Sequence, residues 1–171
     1  MECGGSTAQK DVDHEFVSMY IALNENESSY LEVNIRDHTA DPAGVDRRKF
    51  VSYPPSGMAG TIVGTGFAGT NIKWTINGYI LGNPPLMTMK EGDRVRWYVA
   101  TLSDINNAHR PLWHGNTVLV AGQRTDVVVV TSAQRITADM VPDTPGIWLY
   151  HCHISDHMLA GRFGRYEVKP R

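Results

Sequence analysis

The sequence predicts an all-β, single-domain protein built as an antiparallel Greek-key β-sandwich. Three observations predict it. From residue 11 onward short apolar and aromatic segments recur, each bounded by Gly, Pro, Asp, Asn or Ser. GDRVRWYVATL alternates Val95, Trp97 and Val99 with Arg94, Arg96 and Tyr98, the period of a strand with one buried face. Few segments show helical periodicity, and about seven or eight strands at these spacings suit a sandwich.

Taken in order, the first ten residues, MECGGSTAQK, are Gly-, Ser- and polar-rich, so residues 1–12 read as a flexible segment that carries Cys3. The folded domain is expected over 13–171, a length that buries a core without disulfides or oligomerisation. HEFVSMYIAL, 14–23, is a strand that NENESS ends. YLEVNI, 30–35, fits a short helix or a strand equally well. Residues 38–70 are rich in Gly, Pro and Ser, with brief apolar runs at 50–53 and 61–63, and read as a long surface excursion within the domain. IKWTINGY is a strand leading into a turn at Asn77-Gly78. After GDRVRWYVATL come four further strands, RTDVVVVTS, RITADMV, GIWLYHCHI and FGRYEVK.

Composition narrows the function classes. Sixteen basic and 18 acidic residues are mixed along the chain, giving a net charge of −2, so no basic face points to nucleic acid or an anionic membrane surface. The N-terminus has no signal-peptide pattern, and no apolar run reaches the length of a membrane span. Two cysteines, Cys3 and Cys152, allow at most one bridge, so no disulfide framework is present.

The informative stretch is HCHISDH, 151–157, which holds three of the seven histidines and Cys152. On a strand, His151 and His153 point to one face, and Cys152 points to the other with Trp148 and Tyr150. His157 joins the thiol side if the chain turns after Ile154, and His109 of AHRPLWH can supply a second nitrogen. One thiolate and two imidazoles form the trigonal set of a blue-copper electron-transfer centre. On the reverse face His151 and His153 could meet His114, which is an odd number of residues from His109. Two other chemistries compete for these residues. His153 and His157 have the i, i+4 spacing of a helical zinc pair, but the second ligand pair of a structural finger is absent. A Cys-His nucleophile would need Cys152 to face an imidazole that strand geometry turns away, and no oxyanion-hole motif accompanies it. His14 and His38 stand apart from both clusters and read as ordinary histidines.

HCHISDHMLAG resembles the C-terminal copper motif of multicopper oxidases, and AHRPLWHGN resembles the family's upstream H-x-P-H-x-H-G motif. WTINGY, GDRVRWY, GQRTDVVVV and PGIWLYHCH are similar to a cupredoxin domain of the ceruloplasmin-like and two-domain laccase branch. The resemblance implies a cupredoxin-like fold over 13–171 and copper as cofactor. It implies that Cys152, His109 and His157 hold a type 1 copper that takes electrons from a small reductant: a phenol, an aromatic amine or a metal ion. His151 and His153, with His114, would face a type 2/type 3 cluster where oxygen is reduced to water, and Cys152 with its flanking histidines would be the electron path. The family builds that cluster between two domains, so the expected partner is a second cupredoxin domain or another copy of this chain, as dimer or trimer. Periplasmic or secreted localisation is also implied.

Two positions depart from the family pattern. Leu112 stands where the family has a histidine, and Arg162, ten residues after the cysteine, stands at the axial position where the family has Met, Leu or Phe. A guanidinium beside a cupric ion is costly unless it swings out to solvent, and Phe163 is a candidate to fill the space it leaves. These departures keep two alternatives open: a single-copper electron-transfer cupredoxin, and a copper-depleted structural or interaction domain.

Overall fold

The computed structural model describes residues 11–49, 51–53, 63–102 and 108–171. Of the segment expected to be flexible, only Asp11 and Val12 fall among them, and Cys3 lies outside. In chain order the elements are β1 (His14–Asn24), a short 3-10 turn (Glu25–Glu27), α1 (Leu31–His38), β2 (Val51–Tyr53), β3 (Val63–Thr65), α2 (Gly66–Thr70), β4 (Ile72–Ile76) and β5 (Met87–Lys90). They continue with β6 (Val95–Leu102), β7 (Pro111–Trp113), β8 (Val118–Val120), β9 (Gln123–Thr125), β10 (Arg135–Met140), β11 (Gly146–Cys152), α3 (Ser155–Leu159) and β12 (Phe163–Lys169). Six strands form one sheet in the order β4-β1-β6-β10-β8-β9, and four form the other in the order β5-β12-β11-β7. This is the all-β, cupredoxin-like sandwich that the sequence predicts.

Alternation places the core. Val95, Trp97, Val99 and Thr101 of β6 are buried while the residues between them are partly exposed, as expected of a strand covered on one face. Trp97 is the centrepiece. Its ring lies 5.8 Å from Trp113, 5.1 Å from Tyr150 and 5.9 Å from Tyr166, centroid to centroid, so one side chain of the larger sheet meets three of the smaller. Tyr150 also donates a 2.9 Å hydrogen bond to Ser18 Oγ across the sandwich. Rings in edge and tilted contact carry large apolar area with little rotamer freedom to lose, which fixes the spacing of the sheets. Among the described residues no helix is long and apolar enough to cross a membrane.

The structure corrects several local expectations. The sheets are mixed: β1 runs parallel to β6, and β12 parallel to β5. The described residues hold twelve strands, several of only three residues, too short to show an alternation in sequence. The ambiguous segment 30–35 is helical, as α1, with Ile35 buried. Within the surface excursion β2 and β3 pair with each other, and residues 50 and 54–62 lie outside the described residues. RTDVVVVTS holds strand geometry only in β9, and Val127 and Val130 make isolated bridges to Leu112 and His109.

The Asn77-Gly78 turn is as expected, with φ of 54° and 83°, both in the left-handed region that Asn and Gly tolerate. Asn77 does more than turn the chain. Its side chain accepts from Met19 N at 2.7 Å and donates to Val17 O at 2.8 Å, which ties the β4 end to β1. Asn77→Ala loses both bonds and places a Cβ at positive φ, so a loss of about 1 to 2 kcal/mol is expected. Urea denaturation monitored by tryptophan fluorescence measures it, and Asn77→Gly should recover the backbone part only.

Candidate metal centre

His109, Cys152 and His157 come together at one end of the sandwich, and their ligand atoms all lie within 4.8 Å of one another. Three different elements deliver them. Cys152 is the last residue of β11, His157 sits on α3, and His109 lies just before β7 in a two-way backbone bridge to Val130. The expected turn after Ile154 is the start of α3, and it carries His157 back under the thiol. The backbones interlock: His153 N donates to Arg110 O at 2.7 Å, Cys152 N to Arg162 O at 3.1 Å, and Arg162 N to His157 O at 3.0 Å. Arg110 N also points at Cys152 Sγ, 3.4 Å away.

The donor set suits a trigonal metal. Metal–thiolate and metal–imidazole bonds of about 2.3 and 2.0 Å, opened to a trigonal angle, hold sulfur and nitrogen about 3.7 Å apart. Cys152 Sγ lies 3.4 Å from His157 Nδ1 and 4.0 Å from His109 Nδ1, on either side of that value. All three residues are buried. Burial pushes the Cys152 thiol up, opposed by the Arg110 and Ile154 backbone amides and by the Arg162 charge. Nearby positive charge favours the thiolate there, and Arg162 already supplies part of it.

Two aromatic side chains that the sequence did not single out wall the pocket. Trp74 stacks on His157 with centroids 4.1 Å apart and planes 21° from parallel, and Tyr20 meets His109 edge-on at 5.6 Å. Both arrive through the pairing of β1 with β4, a long-range register that no local pattern announces. Arg162 corrects the sequence reading outright. It does not swing out: it is fully buried, with its guanidinium carbon 5.3 Å from the Tyr20 centroid and 4.8 Å from that of Trp74. One terminal nitrogen lies 2.5 Å from His109 Nδ1. Phe163, the candidate to fill a vacated axial space, pairs with His151 in the β11–β12 register.

The reverse face holds the second group. His114 Nε2 and His151 Nε2 lie 3.0 Å apart, and the His151 and His153 ring centroids are 5.5 Å apart. His151 Nδ1 is 2.9 Å from Cys152 O, which orients the ring with Nε2 outward. Burial, with lesser contributions from His114 and His153, keeps the His151 pKa low, so the imidazole is neutral and able to ligate. His114 and His153 are exposed. Gly115 lets the His114 loop pass close by, for at its φ of +74° a Cβ would sit 2.3 Å from the Trp148 ring. Leu112 stands directly opposite His151 in the β11–β7 register and is buried. With His114, Asp126 and Asp143 it lines an open cleft of about 320 Å³. His14 lies away from both groups, paired with Asp93 at 3.0 Å.

A sandwich with a buried His₂Cys pocket backing onto a histidine face belongs to a known class: residues 58–171 match the multicopper oxidase family, and the chain is a member of it. Copper is the cofactor of this oxidoreductase family. Among its relatives, the chain is 34% identical over 163 residues to the ferroxidase HEPHL1 of Homo sapiens, covering 95% of this chain and 13% of that protein. To human ceruloplasmin it is 34% identical over 160 residues, covering 94% of this chain and 14% of that protein. The chain thus spans only a small part of these relatives. The multicopper oxidase of Campylobacter jejuni shares the fold with a TM-score of 0.58 at 16% identity, over 95% of this chain and 31% of that one. The blue copper oxidase of Nitrosomonas europaea shares it with a TM-score of 0.56 at 17% identity, over 90% of this chain and 43% of that one.

Proposed function

We propose that this chain is a laccase-like, copper-binding oxidoreductase domain of an extracytoplasmic multicopper oxidase, spanning 13–171. In this reading His109, Cys152 and His157 hold a type 1 copper, and His114, His151 and His153 give half of a type 2/type 3 site completed by a second domain or copy. The observation that carries it is the back-to-back geometry: the Cys152 thiol faces one histidine pair, while the two residues flanking it face the other side. Copper in the buried pocket would supply one-electron chemistry with a phenol, an aromatic amine or a metal ion as reductant. The remaining work is the protein's own. Trp74 and Tyr20 exclude water and fix the imidazole planes, and Cys152 O orients His151. Cys152 with His151 and His153 provides a short covalent route between the faces, toward the side where oxygen would be reduced to water.

The exposed His114, which lines an open cleft, and the exposed His153 call for a partner surface, and symmetric association is the commonest way to supply one. A dimer or trimer joined through this face is expected when copper is present. Sedimentation velocity tests it; a monomer at every protein concentration, with copper added, rejects self-association. Copper quantitation, paramagnetic spectra and oxygen uptake then test the whole reading. Several coppers per assembled site with oxygen consumption support the oxidase. One copper per chain with no oxygen consumption supports a single-copper electron-transfer domain, the reading that the buried Leu112 opposite His151 favours.

A further inference from the structure

The family pattern does not explain a fully buried arginine inside a metal pocket. The guanidinium stays charged in any protein environment, and here it is enclosed between Tyr20 and Trp74, whose ring faces stabilise a cation. Trp74 carries His157 and Arg162 against its ring system, so the cation is built into the wall of the ligand set. Its terminal nitrogen is 2.5 Å from His109 Nδ1 and 3.3 Å from Nε2. Nδ1 is also the nitrogen turned toward Cys152 Sγ. Those two distances place the guanidinium nitrogen beside both ring nitrogens of His109, so the cation borders the ligand set directly.

Two consequences follow for any ion that enters. It must find room at Nδ1 beside the guanidinium, and it then sits within a few ångström of that positive charge. The repulsion scales with the charge of the ion. At an effective dielectric of about 20, one additional unit charge some 5 Å away is worth on the order of 100-fold in affinity. The Cys152 thiolate offsets one positive charge, so a monovalent ion leaves the pocket with the Arg162 charge alone, and a divalent ion leaves it with twice that. The soft thiolate favours the cuprous ion independently.

We infer that Arg162 is a specificity-determining residue that makes the His109, Cys152 and His157 pocket selective for Cu(I) over Cu(II) and other divalent ions. The inference rests on the type 1 reading of that pocket and deepens it: the centre holds its copper reduced and gives up an electron only to a strong oxidant.

The test compares the chain with Arg162→Met, Arg162→Lys and Arg162→Gln. Cu(I) is titrated without oxygen against bicinchoninate, and Cu(II) and Co(II) are titrated by visible absorption. The native chain should bind about one Cu(I) and bind Co(II) weakly. Arg162→Met should shift the ratio of Cu(II) to Cu(I) dissociation constants by roughly 100-fold toward Cu(II), and Arg162→Lys, which keeps the charge, should leave the ratio near the native value. Arg162→Gln keeps a planar donor without the charge, and it carries the same expectation if Arg162→Met does not fold by near-UV circular dichroism. Copper binding with the same ratio in the native chain and the neutral variants overturns the role of Arg162 alone. Failure of every variant to bind Cu(I) overturns the pocket assignment, and the selectivity with it.

Discussion

Cys152→Ser is expected to abolish the intense visible absorption of the copper-loaded, oxidised chain and to weaken Cu(I) binding by more than 100-fold. The thiolate is the charge-transfer donor and the soft ligand of the set, and a serine hydroxyl is neither. Loss of an outer-shell partner already costs a metal site roughly 10- to 100-fold in affinity, so loss of the sulfur itself should exceed that. Structure should survive the change. Cys152 is buried, but serine is close to it in size, and Arg110 N, now 3.4 Å from the sulfur, can donate to the hydroxyl. His109→Ala and His157→Ala should weaken the same copper while leaving the core rings in place. His14→Ala, whose imidazole is engaged with Asp93, should leave copper binding unchanged. The measurements are the bicinchoninate competition and the visible spectrum after a strong one-electron oxidant, run in the native chain and in Arg162→Met. An undiminished blue band in Cys152→Ser would sink the type 1 assignment.

The two side-chain clusters were legible in the sequence because they depend on local rules. Alternation along the predicted strand GIWLYHCHI separates Cys152 from His151 and His153, although β11 itself ends at Cys152, and the odd spacing between His109 and His114 separates those two. In the structure His109 joins Cys152, and His114 joins His151. Where pairing is long-range the sequence was silent. Nothing in IKWTINGY shows that Trp74 will stack on His157, because that contact requires β4 to pair with β1 and α3 to fold back beneath β11. The parallel pairing of β1 with β6 is equally invisible, since a strand reads the same whichever way its neighbour runs. Arg162 failed for a different reason. Burial of a cation is costly by default, so exposure was the expected outcome, and only the enclosure by Tyr20, Trp74 and His109 makes burial intelligible.

Leu112→His is expected to produce the largest gain of function: additional copper per assembled site, and oxygen uptake rising from background. Position 112 is directly opposite His151 across the β11–β7 ladder, and it lines the same cleft as His114. Residues directly opposite on antiparallel strands have Cβ atoms about 4.5 to 5.5 Å apart and share a face. An imidazole at 112 therefore joins a group in which two ring nitrogens already lie 3.0 Å apart. The substitution has a cost, because Leu112 is buried and bridges Val127. Trading that contact for a polar ring should lower stability by about 1 to 3 kcal/mol, which copper binding would restore in part. This predicts a signature that added histidine elsewhere would not give: a variant less stable than the native chain without copper, whose melting temperature rises more steeply as copper is added. The experiment is copper quantitation, paramagnetic spectra and oxygen uptake on Leu112→His, on Arg162→Met and on the double variant, each at concentrations where sedimentation shows association. Arg162→Met alone should change the copper preference of the buried pocket without adding metal, and the two effects should combine additively because the sites lie on opposite faces of β11. If Leu112→His binds no extra copper in any assembled state, position 112 does not border a copper cluster. The domain then works with the buried pocket alone, as a one-copper electron-transfer unit.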